Sequence, residues 1–150
     1  MTITFGCDHA GFRYKAMLLA HLRAAGHEVI DNGCHNEEPV DFPNVARAVC
    51  AAILDGKAQR GIMLCGSGVG AAIACNKIRG IRAFCCHDIY SASQSVEHDD
   101  VQVACFGADV LGAAALRKLA DEYLRAEFSG GTEFVHRIAL LDEMDNETNK

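Results

Sequence analysis

The sequence predicts an α/β fold: one Rossmann-like, doubly wound domain in which a five-stranded parallel sheet carries helices on both faces, with an extra C-terminal helix. Three observations lead there. Short apolar runs rich in β-branched or aromatic residues alternate regularly with longer stretches of helical period. No internal repeat, low-complexity tract or Pro/Gly/Ser linker divides the chain, so residues 1–150 read as one domain. A length of 150 residues, 50% hydrophobic and 23% charged, is enough for a substantial core.

Each element follows in order. Ile3-Thr4-Phe5-Gly6 reads as the first strand and Phe12 to Ala25 as its returning helix. Glu28-Val29-Ile30 is the second strand; a polar loop, Asn32 to Pro43, leads into an Ala-rich helix from Asn44 to Asp55. The third strand, Gly61 to Leu64, ends in Cys65-Gly66-Ser67-Gly68-Val69-Gly70 and passes into a helix from Ala71 to Lys77. Arg82 to Cys86 is the fourth strand, Tyr90 to Glu97 a helix, Val101 to Phe106 the fifth strand and Val110 to Glu127 a long helix. The last helix, Phe134 to Met144, follows the Ser129-Gly130-Gly131 break and is free to pack on its own domain or on a partner. Asp145 to Lys150 is expected to fray.

Composition excludes several functions. The formal charge is -6 and Lys and Arg are not clustered, which disfavours nucleic acid as a partner. The apolar runs fall far short of a membrane span. Met1 is followed at once by Thr2 to Cys7 with no basic n-region, so no secretory signal is read and a cytoplasmic location is expected. Eight cysteines invite a disulfide reading, but reducing conditions and a full core argue for free thiols. There is no CxxC pair, which disfavours a thiol redox protein, and no Cys/His set at zinc spacing, so no metal is expected.

In a sheet of this kind ligands bind beyond the carboxyl ends of the strands. That rule selects Cys7 to Gly11, Cys65 to Gly70, His87-Asp88 and Gly107 to Asp109. Gly66 to Gly70 can aim backbone N–H groups at an anion, or simply make a tight turn. Cys65 stands beside those dipoles, where a thiolate is stabilised; the alternative is a buried strand-end thiol. Asp8 and His9 end the first strand, with helix capping the competing role for Asp8. His98, flanked by Glu97, Asp99 and Asp100, either serves as a proton donor or complements a helix C-terminus. His87-Asp88 is a supporting possibility, and His21, His27 and His35 are assigned nothing.

Taken together, Gly6-Cys7-Asp8-His9-Ala10-Gly11-Phe12, Asp41-Phe42-Pro43, Cys65-Gly66-Ser67-Gly68-Val69-Gly70, Ala74-Cys75-Asn76-Lys77, Gly80-Ile81-Arg82-Ala83 and Phe106-Gly107 stand in the order and spacing of a known family. The chain resembles the type B ribose-5-phosphate isomerases, relatives of galactose-6-phosphate isomerase, over essentially its whole length. The resemblance implies an aldose–ketose isomerase with no cofactor, working as a homodimer or homotetramer with sites shared between subunits. By the resemblance Cys65 is the base that moves a proton between C1 and C2 through a cis-enediolate, and Gly66, Ser67, Gly68, Val69 and Gly70 hold its oxygens. Asp8 and His98 match ring-opening residues, and His9 a substrate contact.

Departures from the family pattern sit around the phosphate. Asp99 replaces a usual Asn and Asp109 a common Arg. Where two further Arg are usual, a gapless comparison puts Thr132 and His136; a one-residue insertion puts Glu133 and Arg137. Asp99, His136 and Arg137 are therefore substrate-binding candidates. Ribose 5-phosphate and ribulose 5-phosphate are the expected pair. The alternatives are the same reaction on a tetrose 4-phosphate, allose 6-phosphate or galactose 6-phosphate, and a non-catalytic sugar-phosphate binding module.

Overall fold

The computed structural model describes residues 1–147. Its elements are β1 (Thr2–Cys7), α1 (Phe12–Ala24), β2 (Glu28–Asp31), α2 (Phe42–Leu54), β3 (Arg60–Cys65), α3 (Val69–Asn76), β4 (Ala83–Cys85), α4 (Ile89–Asp99), β5 (Val103–Gly107), α5 (Ala113–Arg125) and α6 (Thr132–Glu147). The five strands form one sheet in the order β2-β1-β3-β5-β4, and every pairing is parallel. The predicted fold class is the observed one.

Burial explains the strand sequences. β3 and β5 lie inside the sheet, covered on both faces, and almost every residue of them is buried. Side chains leave alternate faces: Ile62, Leu64, Ala104 and Phe106 pack with Leu18 and Leu22 of α1, Val96 of α4 and Leu116 of α5. Met63, Cys65, Val103 and Cys105 pack with Val49 and Cys50 of α2 and Ala71 and Cys75 of α3. Cys85 and Cys86 divide between these two cores, as adjacent residues of an extended segment do. The edge strands β2 and β4 are short and partly exposed, which limits edge-to-edge pairing.

The winding reverses between β1 and β3. From β1 the chain crosses to β2 on one side; from β3 it crosses to β4 on the other. A doubly wound sheet opens a crevice at such a reversal. At the amino edge, Arg60 donates to the carbonyls of Tyr123 (2.6 Å) and Ala126 (2.8 Å), capping the end of α5.

Among the boundaries that differ from the sequence reading, three stand out. α5 starts at Ala113 because Gly112, in extended conformation, is its N-cap, leaving Val110 and Leu111 outside the helix. β4 has only three residues. The fraying expected from Asp145 does not begin there: α6 runs to Glu147, the Gly80 N–H donates to Asp145 (2.7 Å), and Asn146 meets the Arg79 guanidinium. The expectation for residues 148–150 lies outside the described residues. Among the described residues, no helix is long and apolar enough to cross a membrane.

Candidate active site

β1 and β3 deliver Asp8 and Cys65 side by side at the reversal point. The register pairs Cys7 with Leu64, and the Asp8 N–H continues the ladder by donating to the Leu64 carbonyl (3.2 Å). Both side chains are almost closed to solvent, Asp8 at 4% and Cys65 at 8% exposure. Asp8 does not cap α1, whose N-cap is Gly11, but it fixes the approach to that helix by accepting the Gly11 N–H (3.1 Å). The Cys65 thiol lies close enough for hydrogen bonding with this carboxylate to count among the causes that raise the thiol pKa.

Cys65 has opposing influences. Burial, the hydrogen bond to Asp8 and that carboxylate's charge raise its pKa; backbone N–H groups of Gly68 and Gly66 at the sulfur lower it. The net direction is upward. The dipoles expected from the sequence are therefore present at the sulfur, but burial and Asp8 outweigh them, and the resting group is a thiol.

The loop from Gly66 to Gly70 is both a tight turn and a cradle. Gly68 is the N-cap of α3 with φ at 82, and a Cβ there would lie 3.0 Å from the Cys105 carbonyl oxygen and from the Cys85 sulfur. The Ser67 hydroxyl accepts the Val69 N–H (3.2 Å), so it is engaged in capping α3. The first turn of α3, with Val69 and Gly70, presents its helix end to the same edge.

His9 stands just outside this pair, exposed, its Nδ1 accepting the Val40 N–H (3.3 Å). His9 also lines a groove of about 690 Å³ with Asn32, Pro39, Val40, Asp41 and Asn44 among others. Asp88 caps α4, accepting the Ser91 N–H (2.7 Å) and hydroxyl (2.6 Å), bonds that hold its carboxyl below the usual range. His87 instead packs against Gly107 and sits 3.8 Å from the Cys85 sulfur, under Ser67. Arg13, which the sequence reading passed over, reaches across the edge: Nη2 pairs with Asp109 (2.8 Å) and also donates to the Ala108 carbonyl. Only its place, two residues beyond Gly11 in the first motif, could have drawn attention to it.

The other candidates form a second cluster. His98 lies in the last turn of α4, a helix of 11 residues that starts at the carboxyl end of β4 and runs about 16 Å back toward the amino edge. Its ring stacks on Phe134 of α6 (centroids 4.1 Å apart), and Nδ1 faces the Gln94 amide (2.9 Å). The three neighbouring acids are thus not its partners here. Arg137 also lies over the Phe134 ring, 5.7 Å from its centroid. His136 is exposed one residue earlier. Among the described residues Asp99 engages through its carbonyl, which accepts Arg82 Nε (2.9 Å). Within one chain, then, Asp8, His9 and Cys65 to Gly70 come together, while His98, Asp99, His136 and Arg137 assemble at the other edge.

All eight cysteines are free thiols. Among the described residues, no group of three or more His, Cys, Asp and Glu side chains is placed to hold a metal ion.

Comparison with known proteins gives concordant matches. Residues 3–141 match a family model described as Ribose/Galactose Isomerase. Ribose-5-phosphate isomerase B of Escherichia coli (strain K12) is 44% identical over 146 residues, covering 96% of this chain and 98% of that protein. A D-erythrulose-4-phosphate isomerase of Pectobacterium atrosepticum is 40% identical, covering 87% of each chain. Among solved structures, Clostridium thermocellum ribose-5-phosphate isomerase B superposes with a TM-score of 0.96 at 38% identity, covering 99% of this chain and 100% of that one.

Proposed function

The chain belongs to the ribose/galactose isomerase family, and from that membership and the geometry of the carboxyl edge we propose that it is an aldose–ketose isomerase acting on a sugar phosphate, with ribose 5-phosphate and ribulose 5-phosphate as the pair. The observation that carries the reading is the placement of Asp8 and Cys65, both nearly closed to solvent, at the ends of adjacent strands where the sheet reverses, with the Gly66 to Gly70 turn leading into α3 beside them.

The chemistry follows from that arrangement. The Cys65 proton passes to the neighbouring Asp8 carboxylate, and the Gly66 and Gly68 N–H groups, which lower the thiol pKa, favour the thiolate. The thiolate takes the proton from C2 of the open-chain aldose while the electron pair moves onto the carbonyl oxygen. The Ser67 to Gly70 turn and the first turn of α3 hold the resulting cis-enediolate. The same sulfur returns the proton to C1, and the hydroxyl proton transfers from O2 to O1, so the product is the ketose with nothing gained or lost. His9 contacts the substrate from the groove side.

Ring opening calls on His98, and anion binding on Arg137 and His136, all at the far edge of their own chain. A second copy supplies them: the enzyme is a homodimer or homotetramer with shared sites. This is supported by α6, which buries no residue and exposes Val135, Leu140, Leu141 and Met144. One domain, residues 1–150, carries the activity, in the cytoplasm, where reducing conditions keep the thiols free.

A second reading, the same proton transfer on D-erythrulose 4-phosphate, is favoured by the Pectobacterium relative and by Asp109, whose carboxylate lies against Gly66. Purified protein offered four-, five- and six-carbon aldose phosphates and the free sugars decides between the two. Ketose formation from ribose 5-phosphate is the expected result; turnover only of the tetrose phosphate supports the second reading, and turnover of none ends the enzyme reading.

A further inference from the structure

The Arg13–Asp109 pair has no part in the proton transfer just described, yet it stands one residue from the reactive sulfur. The Asp109 N–H donates to the Gly66 carbonyl (2.9 Å), and its Oδ2 would lie 3.0 Å from a Cβ on Gly66. A bare carboxylate there would repel any anion approaching the N–H groups of the loop. The charge is answered from a different element: Arg13, in the first turn of α1, crosses to β5 and binds the Asp109 carboxylate and the Ala108 carbonyl through Nη2 alone. Among the described residues Nε and Nη1 make no hydrogen bond, which leaves their N–H groups for a further acceptor, and the side chain is 48% exposed. A guanidinium held by a carboxylate and a carbonyl, with donors left over, is preorganised for an oxyanion.

We propose that Arg13 is a substrate-binding residue that contacts the phosphate of the sugar from within the same chain as Cys65, and that Asp109 is the counter-ion that positions it. The pair thereby sets the preference for phosphorylated sugars. Asp109 orients the fork, and the incoming phosphate takes the donors that Asp109 leaves open. This inference rests on the isomerase reading for its substrate, but its anion-binding step is measurable without turnover.

The test uses the full-length protein, with ribose 5-phosphate as substrate and inorganic phosphate as competitive inhibitor and as calorimetric ligand. Arg13→Ala is expected to raise the KM for the sugar phosphate and the inhibition constant for inorganic phosphate together, by about tenfold to a hundredfold, as loss of a charge-assisted contact does. The kcat should stay within about twofold, because the contact is made equally in ground and transition states. Arg13→Lys should recover part of the loss, and adding Asp109→Asn to Arg13→Ala should recover part of it by removing the bare carboxylate. An unchanged KM and phosphate constant in Arg13→Ala would overturn the proposal; so would a raised KM with an unchanged phosphate constant, or a fall in kcat alone accompanied by a lower melting temperature. Should the wild type turn over no sugar at all, the isomerase reading fails, and calorimetry still decides this one: phosphate binding weakened in Arg13→Ala supports it, and equal binding by both proteins overturns it.

Discussion

The two edges of the sheet carry the candidate chemistry in different ways. At the carboxyl edge Asp8 and Cys65 stand at the ends of adjacent, fully paired strands, nearly closed to solvent, with the Asp8 carboxylate accepting the Gly11 N–H. At the amino edge His98, Phe134 and Arg137 form a half-open stack, one member of it on α4 and two on a helix that buries no residue. The first is what a proton-transferring pair requires, since a misplacement of about 1 Å is costly to rate. The second lacks the burial that would fix it alone, as a contact surface waiting for a partner does. On the proposed reading, folding one chain completes the base and the anion cradle, whereas association completes the remaining groups.

The largest effect that tests this contrast is at the base. Cys65→Ala is expected to lower kcat about a thousandfold and to abolish solvent proton exchange at C2, with inorganic phosphate still binding. Retention of exchange in that variant would remove Cys65 as the base. Cys65→Ser, which keeps the packing, serves as the control for folding.

A smaller effect probes why the thiol is protonated at rest. Burial comes first and Asp8 second among the causes that raise it, so Asp8→Asn removes only the second. The thiol pKa should fall relative to wild type, read as faster alkylation of Cys65 by iodoacetamide at a given pH, while turnover declines because the proton acceptor is gone. In the wild type the sign is fixed: with the pKa above the ordinary thiol value, the thiolate fraction and the alkylation rate both climb as pH rises. A slower alkylation in Asp8→Asn would show that the carboxylate lowers rather than raises the thiol.

The smallest effect is on stability and separates the two edges by composition. The cores hold the thiols; burial drives Cys7 and Cys86 up to about 12, while hydrogen bonding of Cys50 to Cys75 and of Cys75 to Cys105, with burial behind each, drives Cys50 and Cys75 higher still. Because these folded values exceed the unfolded one, their contribution is fully present below the unfolded thiol pKa of about 9 and is lost as pH rises from there toward 12. Each such thiol makes stability fall by up to about 1.4 kcal/mol per pH unit in that window. The melting temperature should therefore be flat in this respect up to pH about 9 and drop steeply above it, and Cys50→Ala should make the drop shallower.

Much of this was legible in the sequence because it depended on local pattern. The strand and helix alternation, the carboxyl-end rule and the adjacency of Cys65 to a glycine turn follow from period and backbone geometry, and they selected Asp8, Cys65 and the Gly66 to Gly70 loop correctly as neighbours. What pattern did not contain was distance through space. Arg13 and Asp109 are 96 positions apart and meet only because α1 and the loop after β5 share an edge. The acids beside His98 suggested an electrostatic role, but a helix end sends neighbouring side chains in different directions, and the imidazole found Phe134 and Gln94 instead. The end of α6 escaped for the same reason: Asp145 and Asn146 are held by Gly80 and Arg79, contacts with no local signature.

The central claim, that one chain supplies Cys65 and another His98 to each site, is tested most directly by complementation. Cys65→Ala and His98→Ala chains are purified separately, each expected to be nearly inactive, then mixed under conditions that exchange subunits. If sites are shared, a mixed dimer carries one site with both substitutions and one with neither, and random exchange restores about a quarter of wild-type activity. If Cys65 and His98 of the same chain served one site, every site in the mixture would carry a substitution, and activity would remain at the level of the separate variants.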